Sequence, residues 1–360
     1  ARNIDFLESF DEVTFIFDSD PQGQKAAKDC CEILSPGKAS NVALPLKDIN
    51  EMVKQNRVKE LVNSVYNAKP LRPDGIINGK EIWEDVRKPM EKGIEYPFQD
   101  FNRILYGIRA REICTITAGS GVGKSTLVAQ IAYDCAIRHN RKVGYVALEE
   151  SLGRTGLRFM SMAIKKPLHL SEEISEAQKR LAFDKTLGTE NFYLYDHFGS
   201  LDSDNLLNKL KYMVIGCGVQ YLFLDHLSIL LSGAEFMVVG GDERKQIDYV
   251  MTKLRSFTEQ TNVSLFLVCH LRRPTTSDKG FEDGLEPSLA SLRGSQSISQ
   301  LSDSVLSVSR NASQGENKIK VRCLKNRHAG ITGDVCSLNY NSATGLLEAE
   351  TVFDDAELPL

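Results

Sequence analysis

A glycine-rich loop between an apolar strand and a helix constrains this chain more than any other feature. The stretch ICTITAGSGVGKSTLVAQIA, residues 113–132, passes from a β-rich segment through AGSGVGKST into a segment with helical spacing. In a P-loop of this form, backbone N–H groups surround phosphates at a helix N-terminus, a lysine reaches the β- and γ-phosphates, and a hydroxyl binds Mg²⁺. The order strand, loop and helix therefore predicts a nucleoside triphosphate site in an α/β sheet.

The predicted nucleotide-binding residues form one continuous run: Gly119, Ser120, Gly121, Val122, Gly123, Lys124, Ser125 and Thr126. Within this run, Lys124 is the predicted catalytic lysine and Ser125 the predicted Mg²⁺ ligand. Ala118 stands at the first position of the loop, where the usual pattern has glycine. Alanine is tolerated there provided that its φ is negative.

Apolar runs and helical segments alternate from residue 112 onward, which is typical of an α/β fold. The runs are almost continuously apolar, as expected for strands of a parallel sheet that is covered by helices on both faces. Residues 304–310, 318–327 and 334–341 instead alternate polar and apolar side chains. We therefore predict that these last segments are antiparallel strands at the edge of the sheet.

Three of the predicted strands end in residues suited to phosphoryl chemistry. Asp225 ends VQYLFLD and is placed to hold Mg²⁺ through water, and Glu149 follows YVAL and is placed to orient an attacking water. His270 ends VSLFLVCH and is a candidate sensor of the γ-phosphate. From the residues alone, a turn-capping aspartate, an acidic helix start and a structural histidine remain alternatives.

Basic residues follow the His270 strand and recur near the C-terminus. Arg272 and Arg273 come directly after that strand, and Arg293 lies in the polar segment beyond it. Loops at this edge of a P-loop sheet often line a nucleic-acid path, so these arginines are candidate DNA contacts, with a solvated loop as the alternative. Arg327 precedes a glycine-rich turn, and in a ring it is placed to reach the nucleotide of a neighbouring subunit.

Bulk properties exclude several classes of protein. The 360 residues include 44 Lys and Arg against 48 Asp and Glu, and the net charge of −4 excludes a globally basic protein that wraps nucleic acid. The eight cysteines show no zinc-type spacing and are expected to be free thiols in a reducing compartment. No apolar run approaches the roughly 18 residues of a membrane span and no signal peptide is evident, so a cytoplasmic protein is expected.

Several motifs together resemble the DnaB superfamily of ring helicases, and its phage primase-helicase and mitochondrial Twinkle branch more than bacterial DnaB. They are GSGVGKST, ALEES, LFLDHLSIL, LVCHLRRP, LRGSQSISQLSDSVLSVSRN and LKNRHAGITG. The resemblance implies an α/β fold, with a RecA-like P-loop NTPase domain over residues 96–348 and a mainly parallel central sheet. It further implies a replicative DNA helicase motor, a hexameric or heptameric ring that hydrolyses ATP or dTTP with Mg²⁺, moves along single-stranded DNA and opens forked duplex.

The resemblance also implies roles for single residues. Glu149 matches the catalytic base, and His270 matches a γ-phosphate sensor that is coupled to the DNA loops. Arg327 matches an arginine finger that acts on the neighbouring subunit, Arg310 a second arginine near the nucleotide, and Tyr340 an aromatic ring that stacks on the base. A replicative DNA polymerase is an expected partner, and the cytoplasm of a phage-infected or bacterial cell is the expected location rather than the mitochondrial matrix.

Residues 1–69 resemble the C-terminal part of a Toprim domain, the α/β domain of primases. Asp18, Asp20 and Asp48 match acidic Mg²⁺ ligands of that domain, although acidic residues at strand ends are common in any case. The other acidic strand of the family would lie upstream of Ala1. Primer synthesis is therefore not expected from this chain alone.

The remaining segments carry weaker signals. Residues 70–95 are predicted to be a linker with a subunit-bridging helix in residues 80–93 that Pro89 and Gly93 disturb, and residues 349–360 an acidic tail. Residues 236–239 are apolar where the family usually has a polar loop. Two other classes share this type of sheet: a RecA/RadA-type recombinase, against which the linker and the KNRHAGITG turn argue, and a KaiC-like regulatory ATPase ring, which would need phosphorylation sites instead of basic channel loops.

Overall fold

The chain folds into two compact units, residues 1–90 and 91–360. The structure is a computed structural model, and it describes residues 3–70, 76–89, 92–170, 174–196, 203–227, 243–272, 280–281, 285–292, 296–310 and 317–349.

The smaller unit is a three-stranded sheet with short helices. Strand β1 (Val13–Phe15) pairs in parallel with β2 (Ala39–Asn41), and β3 (Lys69–Pro70) pairs antiparallel with β2. The helices are α1 (Ile4–Glu8), α2 (Pro21–Cys31), α3 (Ile49–Lys54) and α4 (Val58–Tyr66). Strand β1, helix α2 and strand β2 thus form a β-α-β unit.

The helix predicted over residues 80–93 is much shorter in the structure. A 3₁₀ turn (Gly79–Ile82) leads into a single helical turn, α5 (Trp83–Val86). Pro89 accounts for the early end, because the residue before a proline is disfavoured in the helical region. The apolar side chains here are exposed, with Trp83 64% accessible, and the bridging of subunits stays a prediction.

The larger unit is built on a nine-stranded sheet. Its strands are β4 (Ile113–Ala118), β5 (Val143–Ala147), β6 (Phe192–Leu194), β7 (Tyr221–Asp225), β8 (Ser264–His270), β9 (Ser304–Ser309), β10 (Lys318–Asn326), β11 (Gly333–Asn341) and β12 (Leu346–Ala349). In space they follow the order β12-β11-β10-β9-β4-β8-β7-β5-β6. The strands from β9 to β6 are parallel, and β10, β11 and β12 extend the sheet antiparallel.

One strand direction was predicted wrongly. Strand β9 was expected to be antiparallel, but it runs parallel to β4 and pairs antiparallel only with β10. All six of its residues are buried, including Ser304, Ser307 and Ser309. Small hydroxyl side chains thus occupy core positions, and their spacing imitates the alternation of a half-exposed strand.

Helices cover both faces of the larger sheet, as the apolar runs predicted. They are α6 (Gln99–Leu105), α7 (Lys124–Ile137), α8 (Leu152–Ile164), α9 (Glu176–Asp184), α10 (Ser203–Lys211), α11 (Glu243–Thr261) and α12 (Gln296–Leu301). Phe223 and Phe266 stack at 4.6 Å on the face that packs against α7. Leu224 and Leu267, their neighbours in sequence, join the core on the other face with residues of α11.

The described residues also bear on membranes and on cysteine chemistry. Within the described residues, no helix combines the length and the apolarity needed to cross a membrane. All seven cysteines for which a state is described are free thiols: Cys30, Cys114, Cys135, Cys217, Cys269, Cys323 and Cys336.

The sheet core predicts a large stability difference between two matched substitutions. Leu267→Ala should lower the free energy of unfolding by about 2 to 5 kcal/mol, because the fully buried side chain leaves a cavity between β8 and the helices of its face. Leu170→Ala, at a position that is 71% exposed, should change it by less than about 0.5 kcal/mol. Urea unfolding followed by far-ultraviolet circular dichroism measures both, and equal effects would contradict the assignment of Leu267 to the core.

Candidate active site at the P-loop

The loop between β4 and α7 has the backbone geometry of a phosphate cradle. Gly121 and Gly123 have φ values of +69° and +111°, a conformation that side chains with a Cβ rarely adopt. Ala118 is instead the last residue of β4 and is fully buried, which explains why alanine is tolerated there. The Lys124 Nζ donates to the backbone carbonyls of Ala118 (2.9 Å) and Gly119 (2.7 Å), so the lysine lies inside the curve of the loop.

The start of α7 is suited to an anion. This helix has 14 residues, begins after Gly123, and receives no side-chain cap from the described residues. The first N–H groups of a helix need acceptors, and the helix dipole favours negative charge at that end. Together with the buried Lys124, these donors fit the phosphates of a nucleotide.

Strand register brings the predicted catalytic residues to the same edge of the sheet. Ala118 at the end of β4 pairs with His270 at the end of β8, and Ala147 at the end of β5 pairs with Asp225 at the end of β7. The strand order places β4, β8, β7 and β5 side by side. The P-loop, Asp225, His270 and the residues after Ala147 therefore share one edge.

Asp225 is the buried carboxylate of this edge, with 7% of its surface exposed. Burial raises its pKa, and Glu149 adds to this, whereas a hydrogen bond from Ser125 and electrostatic interactions with His226 and Arg158 oppose it. The contact between Ser125 and Asp225 matches the two groups predicted to hold Mg²⁺. A divalent cation here would supply the positive charge that favours the ionised carboxylate.

Glu149 and Glu150 have different surroundings, which bears on the choice of base. Glu150 accepts hydrogen bonds from Thr155 (3.0 Å) and Arg158 (2.7 Å), so its carboxylate is held by α8. The Glu149 side chain is 63% exposed, and its Oε1 lies 2.7 Å from the Nε2 of His226. The side chain predicted to act on water is therefore the one that solvent reaches.

His226 is a residue of the site that was not predicted. It directly follows Asp225, its side chain is 5% exposed, and its Nε2 lies 2.9 Å from the Nε2 of His270 as well as close to Glu149. The two rings meet edge to face at 4.0 Å. Its position immediately after a strand-end aspartate was the available signal, but only the strand order shows that it lies between Glu149 and His270.

A cavity of 350 Å³ opens beside the P-loop. Its lining includes Thr126 of the P-loop, Tyr340 of β11, and Arg154 and Arg158 of α8. Within the described part of the chain, the Arg158 Nη1 and the Arg310 Nε are buried donors without a hydrogen-bond partner. Buried donors of this kind fit a phosphorylated ligand.

Arg310 also lies at the P-loop edge of the sheet. It follows Ser309, the last residue of β9, and Val308 pairs with Ala118 at the end of β4. The two residues predicted to frame the nucleotide, Arg310 and Tyr340, are thus carried by β9 and β11 on the same side of β4.

Arg327 lies at the opposite edge of the same sheet. Asn326 pairs with Ser304 at the start of β9, and Ser304 pairs with Cys114 near the start of β4, roughly 13 Å along the strand from the P-loop end. Arg327 forms an ion pair with Asp303 at 2.7 Å within its own chain. It is therefore remote from the phosphate cradle of its own chain.

The candidate DNA contacts are only partly described. Arg272 is exposed, and its backbone N–H donates to Ser291 at 2.8 Å, which ties the end of β8 to a later segment. Arg273, Arg293 and the apolar run 236–239 lie outside the described residues. The role of all three arginines stays a prediction.

The acidic residues of the smaller unit have local structural roles. Asp20 caps α2 by accepting from the Gly23 N–H (2.8 Å), and Asp48 caps α3 by accepting from the Glu51 N–H (2.6 Å). In the described part of the chain, these carboxylates and Asp18 do not form a three-ligand cluster. The Mg²⁺ role predicted for them stays a prediction.

The fold and the site define a class: a P-loop nucleoside triphosphatase with a RecA-type sheet. The model of the DnaB-like helicase C terminal domain family matches residues 93–347. The chain therefore belongs to the DnaB-like helicase family.

Similar proteins agree with this assignment. The chain is 37% identical over 97% of its length to a DNA helicase/primase of Enterobacteria phage T3, and 26% identical over 64% of its length to a probable plasmid replicative DNA helicase of Chlamydia psittaci. It spans 62% and 50% of the lengths of these relatives.

Solved structures share the fold. One solved ATPase domain matches with a TM-score of 0.60 at 20% identity, over 76% of this chain and 99% of that one. A DnaB-like replicative helicase, described with its interactions with primase, matches with a TM-score of 0.61 at 18% identity, over 83% of this chain and 73% of that one.

The raised pKa of Asp225 predicts a gain of stability on neutralisation. Because burial raises the folded-state pKa above the unfolded value, the folded state binds more protons between the two values, and the free energy of unfolding falls as the pH rises through that window. Without nucleotide and Mg²⁺, Asp225→Asn should therefore be more stable than wild type at pH 7, and the difference should grow as the pH rises from about 4.

Urea unfolding over this pH range measures the difference. Asp184→Asn, at a side chain that is 52% exposed, is the matched control and should show little of it. A pH-independent gain for Asp225→Asn would show that burial of the charge is not its cause.

Proposed function

We propose that this chain is the motor part of a replicative DNA helicase, which couples hydrolysis of ATP or dTTP to movement along single-stranded DNA and to the opening of forked duplex. One observation carries the proposal: the P-loop, Asp225, Glu149 and His270 meet at one sheet edge in a member of the DnaB-like helicase family. Relatives with helicase names support it. The family match does not favour a recombinase or a regulatory ATPase ring.

Each residue of the edge has a task in this proposal. Lys124 and the N–H groups at the start of α7 bind and orient the β- and γ-phosphates. Ser125 and Asp225 would hold Mg²⁺, which neutralises charge on the phosphates when bound. The exposed Glu149 carboxylate orients a water molecule and accepts its proton, and His226 positions that carboxylate from the buried side.

The cavity beside the P-loop is proposed to receive the nucleoside. Tyr340 would offer an aromatic face to the base, and the buried donors of Arg158, which lines the cavity, and of Arg310, at the same sheet edge, would donate to polar groups of the nucleotide. The contact of Thr126 with the same cavity joins the base region to the phosphate cradle.

The position of Arg327 favours a ring. An arginine that lies at the sheet edge opposite its own P-loop can act on a nucleotide only in another subunit, and a hexamer or heptamer supplies one at each interface. Arg272, Arg273 and Arg293 are proposed to contact DNA phosphates, a replicative polymerase is the proposed further partner, and the bacterial or infected-cell cytoplasm is the proposed location.

Nucleotide hydrolysis with and without single-stranded DNA tests the proposal, on protein whose oligomeric mass is measured in the same buffer. We expect a ring whose hydrolysis rises many-fold with DNA, a stimulation that weakens with salt because the contacts are to phosphate. Lys124→Ala should abolish hydrolysis while the ring persists. A ring indifferent to DNA would overturn the motor and favour a regulatory ATPase.

The proposed action of Arg327 on the nucleotide of a neighbouring subunit predicts a defect in hydrolysis when this arginine is removed. Arg327→Ala should bind nucleotide normally but lose DNA-stimulated hydrolysis by about 10³-fold or more. Asp303 keeps its contacts with Arg255 (2.6 Å) and with the Ile113 N–H (2.9 Å), so the variant should stay folded. Arg322→Ala, which removes a cation of the preceding strand β10, is the control and should remain active.

Mixed rings separate action in trans from action within one chain. Mixing Arg327→Ala with Lys124→Ala subunits should restore some hydrolysis, because an interface can then combine an intact P-loop with an intact arginine. Mixed rings that demonstrably form but show no activity at any ratio would count against the assignment.

A further inference from the structure

Three side chains with metal-binding atoms converge beside the P-loop. The Oε1 of Glu149 lies 2.7 Å from the Nε2 of His226, and this Nε2 lies 2.9 Å from the Nε2 of His270. The potential ligand atoms of all three residues lie within 4.8 Å of one another. In the described part of the chain, no other group of three histidine, cysteine or acidic residues is so close.

The elements that carry these residues hold them in place. His270 ends β8, His226 follows the last residue of β7, and Glu149 comes two residues after the end of β5. Strands β8, β7 and β5 are consecutive neighbours in the sheet. The cluster is therefore built on paired strand ends, which are more rigid supports than free loops.

Hydrogen bonds between the three groups do not account well for their approach. A neutral imidazole Nε2 either donates one hydrogen or accepts one. The Nε2 of His226 faces both a carboxylate oxygen and a second imidazole nitrogen, and a single N–H cannot point linearly at both. Three electron-rich atoms around one point are better satisfied by a positive centre between them.

The spacing suits a small divalent ion. Metal–ligand bonds of about 2.0 to 2.2 Å in tetrahedral geometry place ligand atoms roughly 3.3 Å apart. The observed 2.7 and 2.9 Å are a few tenths of an ångström shorter, a difference that small side-chain rotations close. Glu149, being 63% exposed, leaves a path for the ion from solvent, while His226 forms the buried wall.

We propose that Glu149, His226 and His270 form a binding site for a divalent transition-metal ion, Zn²⁺ first, separate from the Mg²⁺ position at Ser125 and Asp225. Two imidazoles and one carboxylate with a fourth position open is a common zinc ligand set. Mg²⁺ prefers six oxygen ligands, so this site should discriminate against it.

Occupancy has a consequence for catalysis, and this part rests on the proposed function. A metal-bound Glu149 cannot accept a proton from water, and a metal-bound His270 cannot respond to the γ-phosphate. Zn²⁺ in the micromolar range should therefore inhibit hydrolysis in the presence of excess Mg²⁺, as an off-switch at the motor site.

Co²⁺ titration of the whole chain tests the site without nucleotide or DNA. Tetrahedral Co²⁺ absorbs visible light far more strongly than hydrated Co²⁺, and the titration is done at about pH 7.5. We expect one Co²⁺ per chain, displaced by Zn²⁺ and retained in a large excess of Mg²⁺. His226→Gln and His270→Gln should weaken binding by about 100-fold or more, and the exposed Glu149→Gln should weaken it without affecting the fold.

The control is His328→Gln, which removes an exposed histidine outside the cluster and should bind Co²⁺ like wild type. Circular dichroism checks that each variant is folded. If a histidine variant does not fold, Co²⁺ binding by Glu149→Gln provides the test of the site. Absence of binding, equal binding by the cluster variants, or a thiolate-to-cobalt charge-transfer band would overturn the site. The titration contains no substrate, so the two proposals can fail separately. DNA-stimulated hydrolysis without Co²⁺ binding would overturn the metal site alone. Co²⁺ binding without DNA-stimulated hydrolysis would overturn the proposed helicase motor alone.

Discussion

The in-register pairing of four buried parallel strands is the constraint on which the rest of the structure depends. Strands β4, β8, β7 and β5 end at the same sheet edge, and the P-loop, His270, Asp225 and Glu149 are each attached to one of these ends. Core burial on both faces sets the register, because a one-residue slip would exchange Phe223 and Leu224 between the faces. The geometry of the site is therefore a product of the packing beneath it.

The site buries charged and polar side chains, although their burial costs free energy of folding. Lys124, Asp225 and His226 are all buried at this edge, and the pKa of Asp225 is raised because its charge has lost water. Backbone carbonyls satisfy Lys124, and Ser125 donates to Asp225, so the cost is only partly offset within the chain. The proposed nucleotide and its cation would supply charges opposite to those of Lys124 and Asp225.

Much of the fold was predictable because local patterns report it directly. The P-loop, the strands β4 to β8 and the helices on both faces follow from apolar runs, glycine spacing and helical periodicity. Strand β9 was assigned the wrong direction because buried serines imitate a half-exposed strand, and β12 gave no separate signal. In the site, Asp225, Glu149 and His270 were predictable as strand-end residues, whereas His226 was not, since its role depends on which strands are neighbours.

The sequence alone determined the class of the protein, since a glycine-rich loop with Lys124 and Ser125 follows an apolar strand and opens a helix, and the model of the DnaB-like helicase family matches residues 93–347. Only the tertiary structure decided which groups meet: that His226 lies between Glu149 and His270, that Tyr340 shares a cavity with Thr126, and that Arg327 lies at the sheet edge away from its own P-loop. The physical reason is that spacing along the chain is local, whereas strand order and register are set by contacts between residues far apart in sequence.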